Sequence, residues 1–158
     1  MLQDKLKQYL KKAERMYYRL ILLVGEADSG KTCILQDIAN ELGIPVINVN
    51  LELSSRLLEL TPDQRVLQFQ KLLEEITGTN HQALILDNIE IFFDKTLKQD
   101  PLRILQKLSR NCLVVTALNG LVEGKKLIYA QLGHPEYQVY NLENTLIVEI
   151  KDKRINNT

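Results

Sequence analysis

The chain has 158 residues, enough for one domain with a sizeable apolar core and too few for two such domains. Apolar residues make up 45% of it and charged residues 25%, which is ordinary for a folded globular protein and excludes predominant disorder. The formal net charge is zero, so the molecule as a whole has no long-range attraction for nucleic acid.

The compartment follows from what the sequence lacks. No run reaches the ~18 consecutive apolar residues of a membrane span, and lysines interrupt the N-terminal region where a signal peptide would need an apolar core. Cys33 and Cys112 lie in apolar surroundings without metal-ligand spacing, a pattern typical of buried, reduced thiols. We therefore expect a cytoplasmic protein.

Residues 1–18 predict an amphipathic basic helix. Apolar side chains recur at spacings of three and four over residues 2–18, namely Leu2, Leu6, Tyr9, Leu10, Ala13, Met16 and Tyr17. Residues 1–19 also carry six basic side chains against two acidic ones. Two interpretations stay open: the helix docks on the core with its lysines in solvent, or its basic face contacts a partner or DNA.

A phosphate-binding loop follows the apolar run at residues 20–24. The motif GxxxxGK[ST] is complete and comprises Gly25, Glu26, Ala27, Asp28, Ser29, Gly30, Lys31 and Thr32, with Cys33 next in the following helix. Its glycines allow the backbone to approach phosphates closely, and its N–H groups form an anion cradle at a helix N-terminus. Lys31 would neutralise the β- and γ-phosphates, and Thr32 would offer its hydroxyl to Mg²⁺. The sequence thus predicts binding of a nucleoside triphosphate.

Strands and helices alternate along the rest of the chain. Helices are predicted over 31–42, over 54–60 as a short piece, from the capping box Thr61–Gln64 to about Thr77, and from Asp100-Pro101 to Arg110. Strands are predicted over 46–51, 83–87, 112–118 and 146–150. Residues 121–144 predict an extra β-hairpin, with a break at Gly133-His134-Pro135, and residues 151–158 a polar tail.

This alternation predicts an α/β fold: a three-layer P-loop NTPase domain over residues 1–158, with a parallel sheet flanked by helices on both faces. Ligands bind such sheets at the carboxyl ends of the strands, where Gly25, Asp87 and Asn119 fall.

Asp87 ends a buried strand in the manner of a Walker B motif, so Thr32 and Asp87 are the predicted Mg²⁺ ligands. Many ATPases place a glutamate directly after this aspartate to orient the attacking water, and here that position holds Asn88. Glu90 could replace it if the strand end kinks, Glu52 is a second candidate, and the absence of an effective base is a third possibility.

Other side chains complete the predicted catalytic set of Lys31, Asp87, Glu90, Asn119 and Arg110. Asn119 ends the strand after Walker B and could sense the γ-phosphate, whereas Thr116 is expected to point into the core. Arg110 is the first choice for an arginine that acts on a neighbouring subunit, followed by Arg103 and Arg56, with a solvated surface role as the alternative for each. His81 and His134 are interpreted as surface residues.

The order of these parts resembles that of the additional-strand ATPases, which include AAA+ and RecA-like proteins. The resembling parts are the phosphate loop, an extra strand, Leu86-Asp87-Asn88-Ile89-Glu90, and a strand that ends Ala117-Leu118-Asn119-Gly120. The match to AAA+ is partial, because no C-terminal helical lid is expected after the last strand. No guanine-reading Asn-Lys-x-Asp motif occurs, which favours ATP over GTP.

More specifically, the chain resembles the BrxF family, the small P-loop proteins of type III bacteriophage-exclusion (BREX) systems. The resembling stretches are residues 18–25, 46–54, 86–91, 97–102 and 133–137, of which Lys98-Gln99-Asp100-Pro101 and Gly133-His134-Pro135-Glu136-Tyr137 discriminate best. The resemblance implies an antiphage component that works with other BREX proteins, including a methyltransferase and a large ATPase.

Three hypotheses of function follow. The first is an ATP- and Mg²⁺-dependent switch that forms a homo-oligomer or docks on a partner and is reset by slow hydrolysis. The second is a nucleotide-binding scaffold without catalysis, which Asn88 favours. A kinase is disfavoured, because residues 121–144 contain no arginine to form a lid.

Overall fold

The main sheet is built around strand β1 (Leu20–Gly25), whose six residues are all buried. A computed structural model describes residues 4–78, 82–130, 135–151 and 154–155 of the chain. The other strands of this sheet are β2 (Val46–Asn48), β3 (Ala83–Asp87), β4 (Leu113–Asn119), β8 (Leu146–Lys151) and β9 (Arg154–Ile155). Their order is β2-β3-β4-β1-β8-β9; the first five are parallel, and β9 pairs antiparallel with β8.

Helices cover both faces of the main sheet, which confirms the predicted three layers. They are α1 (Asp4–Ala13), α2 (Lys31–Leu42), α3 (Val49–Leu57), α4 (Pro62–Thr77) and α5 (Pro101–Asn111). Alternate residues of β1 point to opposite faces: Ile21 and Leu23 pack with α1 and α2, and Leu22 packs with α3, α4 and α5. Each face therefore has its own apolar core.

The N-terminal helix is shorter than predicted, because α1 ends at Ala13 and Met16 and Tyr17 lie beyond it. Leu6 and Ala13 are buried in the core to which α2 also contributes, so α1 docks through these residues, whereas Tyr17 of the predicted stripe is exposed. Leu2 lies outside the described residues. No helix in the described part of the chain is long and apolar enough to cross a membrane.

The predicted strand at 46–51 is wrong after Asn48, and the helical piece predicted at 54–60 is confirmed only as the second half of a longer helix, α3, which ends at Leu57. Asn48 accepts a hydrogen bond from the backbone N–H of Leu51 at 3.1 Å and thereby begins α3. Val49, Leu53 and Leu57 repeat every four residues and are all buried, as one face of a helix requires. The predicted capping box at Thr61 and Gln64 is confirmed at the start of α4.

Three short strands that begin at Leu121 and end at Asn141 form a separate antiparallel sheet, which we call the small sheet. Its strands are β5 (Leu121–Glu123), β6 (Lys126–Tyr129) and β7 (Gln138–Asn141), in that order. The predicted hairpin is confirmed as the β6–β7 pair, and β5 is an additional strand. The break at Gly133-His134 and the histidines His81 and His134 lie outside the described residues, as does most of the predicted tail.

Candidate nucleotide-binding site

The predicted phosphate loop joins β1 to α2 at the carboxyl end of the main sheet. A Cβ atom on Gly25 would lie 2.5 Å from the carbonyl oxygen of Ile150 and 2.8 Å from Oγ of Ser29, so this position has room only for glycine. Asp28 and Gly30 adopt left-handed backbone conformations, with φ of 62° and 94°. These two backbone conformations curl the loop over the N-terminus of α2. The first N–H groups of that helix receive no side-chain cap from the described residues.

The ammonium group of Lys31 is held inside the loop. Its Nζ donates to the carbonyl oxygen of Gly25 and to Oγ of Ser29, each at 3.1 Å, and also to the carbonyl oxygen of Glu26. Burial lowers the pKa of Lys31, and the negative charges of Glu90 and Asp87, with smaller effects of Asp28 and Glu26, oppose that shift. The lysine is thus a desolvated cation beside the cradle, positioned to exchange loop oxygens for phosphate oxygens.

Thr32 and Asp87 form a pair of oxygen donors at the mouth of the site. The Thr32 hydroxyl donates to Oδ2 of Asp87 at 2.9 Å, and Oδ1 of Asp87 accepts from the N–H of Asn88 at 2.9 Å. Among the described residues no group of three or more His, Cys, Asp or Glu could hold a metal alone. Mg²⁺ commonly takes one or two protein oxygens and completes its shell with phosphate and water, so this pair fits an ion that arrives with a nucleotide.

A cavity of about 360 Å³ gathers these groups with residues from the ends of β3 and β4. Its wall includes Lys31, Thr32, Asp87, Asn88, Glu90 and Asn119. The three parallel strands β1, β3 and β4 therefore bring together side chains that lie far apart in the sequence.

Glu90 reaches this cavity because the chain turns sharply after β3. Asn88 adopts a left-handed conformation with φ of 55°, and its carbonyl oxygen accepts from the N–H of Asn50 at 2.9 Å. A single 3₁₀ turn over Glu90–Phe93 follows, with Glu90 half-buried at its start. Glu90 contributes to the wall of the cavity, and its negative charge opposes the lowering of the Lys31 pKa by burial.

Several other sequence candidates lie elsewhere. Glu52, which we expected at the end of a strand, lies in the first turn of α3 and pairs with Arg56 at 2.9 Å; Arg56 also approaches Glu75. Arg103 is exposed on α5. Thr116 is buried and donates to the carbonyl oxygen of Leu86, which confirms its expected core position.

Arg110 lies at the amino end of the sheet, away from the phosphate loop of its own chain. Its guanidinium group donates to the carbonyl oxygen of Tyr17 at 2.7 Å and stacks on the Tyr17 ring at 3.6 Å. Any action of Arg110 on a nucleotide would have to occur in a neighbouring subunit and would require the Tyr17 contact to break.

The prediction that both thiols are buried is wrong for Cys33. Cys112 is buried beneath α5, whereas Cys33 is exposed in the first turn of α2 and contributes to the wall of the cavity. The reason is the orientation of α2: Ile34 and Leu35 face the core, so the preceding residues face outward.

The sequence did not predict a second cavity, on the other side of the phosphate loop. A second cavity of about 430 Å³ lies between the loop, the start of β5 and the end of β8, and its wall includes Glu26, Leu121, Val122, Glu149 and Lys151. The parallel pairing of β8 with β1 places Glu149 and Lys151 there, a neighbourhood that the local sequence pattern does not encode.

Residues 21–118, more than half of the chain, match the family described as ATPase family associated with various cellular activities (AAA). The chain belongs to the AAA family. Membership implies that this AAA domain binds a nucleoside triphosphate. None of the curated proteins compared with the chain matches it.

Three similar solved structures share little sequence with this AAA domain. A crystal structure titled DNA replication initiation factor has 17% identity and a TM-score of 0.49, with coverage of 92% of this chain and 44% of that one. The AMPPCP-bound DnaA from Aquifex aeolicus has 18% identity and a TM-score of 0.49, with coverage of 94% and 44%. The C. elegans PCH-2 structure has 20% identity and a TM-score of 0.39, with coverage of 77% and 36%. The chain thus spans less than half the length of each.

Proposed function

We propose that this protein binds ATP with Mg²⁺, hydrolyses it slowly, and uses the nucleotide state as an assembly switch. The observation that supports this most is the convergence of Lys31, the Thr32–Asp87 pair and Glu90 on one cavity. These are the three parts that phosphoryl transfer to water needs: a phosphate cradle, donors for a metal ion, and a carboxylate near the attacking water.

Each residue of the set has a distinct role in this proposal. The loop N–H groups and Lys31 hold the phosphates, Thr32 and Asp87 hold Mg²⁺, and Asn119 contacts the γ-phosphate. A bound Mg²⁺ would offset negative charge on the phosphate oxygens. Glu90 orients the water and accepts its proton, since Asn88 can hold a water by hydrogen bonds but cannot take a proton from it.

Adenine is the proposed base, because no guanine-reading motif is present. Oligomerisation belongs to the proposal because an arginine supplied by a neighbouring subunit is a common way to stabilise transferred phosphoryl charge. A biological role in BREX antiphage defence, with other BREX proteins as partners, rests on the sequence resemblance of residues 97–102 and 133–137.

The experiment that tests the switch measures oligomeric mass and ATP turnover together. Light scattering of the purified protein with Mg²⁺ and either no nucleotide, ADP or ATP should give a larger mass with ATP. Phosphate release should accompany it, and both should be absent in Lys31→Ala. If neither mass nor turnover depends on Lys31, the switch is refuted.

A non-hydrolysing scaffold is the second candidate, favoured by Asn88 at the usual glutamate position. It predicts that ATP binds and the mass changes without phosphate release. Turnover in the wild type that disappears in Lys31→Ala would exclude it.

DNA contact through α1 is a third candidate, because Lys7, Lys11 and Lys12 are all exposed while the apolar face of α1 is docked. Charge reversal of these three lysines to glutamate should then weaken DNA binding and flatten its dependence on salt concentration. Unchanged affinity would leave α1 with a purely structural role.

A further inference from the structure

The small sheet packs an aromatic side chain against the 3₁₀ turn that carries Glu90. The rings of Phe93 and Tyr129 stack with centroids 3.7 Å apart and an interplanar angle of 8°. Tyr140 of β7 meets the same Phe93 ring edge-on at 5.8 Å. Phe93 and Tyr129 are 5% and 8% exposed, so this contact excludes water and is closely packed.

The geometry of the turn connects this stack to Glu90. Residues three apart in a 3₁₀ helix lie above one another, so Glu90 and Phe93 project from the same side of the turn. On the far side of the turn, Phe92 is fully buried against Phe69. Aromatic contacts therefore hold the turn from both sides, through Phe92 and Phe93, two and three residues after Glu90.

The other end of the small sheet is attached to the phosphate loop. Gly120, which separates Asn119 from β5, donates its N–H to the carbonyl oxygen of Gly25 at 3.1 Å, the same oxygen that accepts from Lys31. A Cβ on Gly120 would lie 2.8 Å from the carbonyl oxygen of Ile128 in β6. The small sheet is thus held directly against the strand end that carries the loop, and Tyr129 has a fixed place relative to Lys31.

We propose that Tyr129 is a positioning residue: by stacking on Phe93 it holds the Glu90 carboxylate where it acts on the attacking water. This inference rests on the proposed function, because it assumes that Glu90 is the water-activating group. The ring does the positioning, so the phenol hydroxyl is dispensable. Tyr129 touches neither nucleotide nor water in this role.

Steady-state kinetics with a double-mutant cycle tests the proposal. Tyr129→Leu should lower kcat roughly ten-fold, with KM for ATP within about two-fold of the wild type, because only the alignment of Glu90 changes. Tyr129→Phe should retain nearly full kcat, because it keeps the ring. In a Glu90→Gln background, Tyr129→Leu should cause no further loss, since it acts through Glu90.

Two controls separate the possible outcomes. Leu73→Val, a buried change on α4, should leave kcat near that of the wild type and so exclude general destabilisation. Phe93→Leu replaces Tyr129→Leu in the cycle if the latter does not fold, and the same pattern is expected. An equal loss of kcat in the wild-type and Glu90→Gln backgrounds, or a change in KM alone, would overturn the role of Tyr129.

Failure of the proposed function has a different signature. Wild-type turnover that is independent of Lys31, or unaffected by Glu90→Gln, would refute the site assignment itself. Additivity in the cycle would refute only the action of Tyr129 through Glu90.

Discussion

The hydroxyl of Thr32 donates a hydrogen bond of 2.9 Å to the carboxylate of Asp87, although 55 positions separate the two residues in the sequence. This bond joins the first turn of α2 to the end of β3 and crosses the mouth of the cavity. A metal ion between these oxygens would replace the hydrogen bond, because both groups would then turn their lone pairs to it. The pair therefore links metal binding to the position of α2 against β3.

Thr32→Val should weaken ATP binding only when Mg²⁺ is present. The valine keeps the shape of threonine but removes the oxygen, so we expect roughly a ten-fold loss of affinity, about 1.4 kcal/mol. Calorimetric titration with ATP, once in the presence of Mg²⁺ and once in the presence of a chelator, measures the affinity under each condition. Thr32→Ser keeps the hydroxyl and is the matched control, with affinity near that of the wild type. Equal losses with and without Mg²⁺ would contradict a metal role for Thr32.

Gly25→Ala should destabilise the protein and weaken nucleotide binding. The new methyl group would lie 2.5 Å from the backbone carbonyl oxygen of Ile150, so β1 and β8 must separate, at an expected cost of about 1–3 kcal/mol. The matched control is Gly43→Ala at the end of α2. There no atom of the described residues lies within 4 Å of the new methyl group, and only the left-handed backbone, with φ of 71°, is strained.

Urea unfolding of the two glycine variants gives the free energies, and ATP titration gives the affinities. Both variants should lose stability, but only Gly25→Ala should lose affinity for ATP. A Gly25→Ala protein that binds ATP as the wild type does would show that close backbone approach at this residue is not needed.

The stability of the protein should decrease at alkaline pH because of Tyr129. Burial first, and the charges of Glu136 and Glu90 next, raise the pKa of Tyr129 from 10.0 to about 12. A raised pKa in the folded state means that the neutral phenol stabilises the fold fully below pH 10 and that this contribution is lost as the pH rises through about 12.

Tyr129→Phe should remove this pH-dependent contribution to the free energy of unfolding, which is on the order of 2 kcal/mol. Urea unfolding at a series of pH values from about 9 to 12 measures it as the difference between the wild-type and variant curves. The pKa of Tyr140 is also raised to about 12, by burial and by the charge of Asp100, and this background is common to both proteins. Parallel curves would contradict the assignment to Tyr129.

The phosphate loop and its two flanking elements could be predicted from the sequence because all their determinants are local. The apolar run of β1, the spacing of the loop and Gly43 at the end of α2 fall within one continuous segment. The Walker B strand β3 could be predicted for the same reason, since five residues end in a buried aspartate.

Contacts between distant segments could not be predicted in this way. The strand propensity of Val46-Ile47-Asn48-Val49 was outweighed after Asn48 by burial of α3 against α4 and the 3₁₀ turn, which only the folded chain supplies. Arg110 was expected to be available to a neighbouring subunit, yet it stacks on Tyr17, 93 positions away. At the kink that brings Glu90 to the cavity, the carbonyl oxygen of Asn88 accepts a hydrogen bond from the N–H of Asn50, which lies in a different segment of the chain.

Restoration of the usual Asp-Glu pair by Asn88→Glu should not improve hydrolysis. Asparagine tolerates the left-handed conformation at position 88 better than glutamate does, so we expect the substitution to cost about 1 kcal/mol of stability. The carbonyl oxygen of residue 88 is held by the N–H of Asn50, which opposes a return to an extended backbone. A glutamate at this position would therefore start from a kinked strand end rather than a straight one.

The decisive comparison is made in a Glu90→Gln background. Asn88→Glu should not recover the turnover that Glu90→Gln removes. The control is Asn88→Gly with Glu90 intact, which should keep wild-type turnover and equal or greater stability, because glycine relieves the left-handed strain. Phosphate release and urea unfolding measure the two effects. Recovery of turnover by Asn88→Glu would show that position 88 can also carry the water-activating carboxylate, and the kink would then have no bearing on where that group must be.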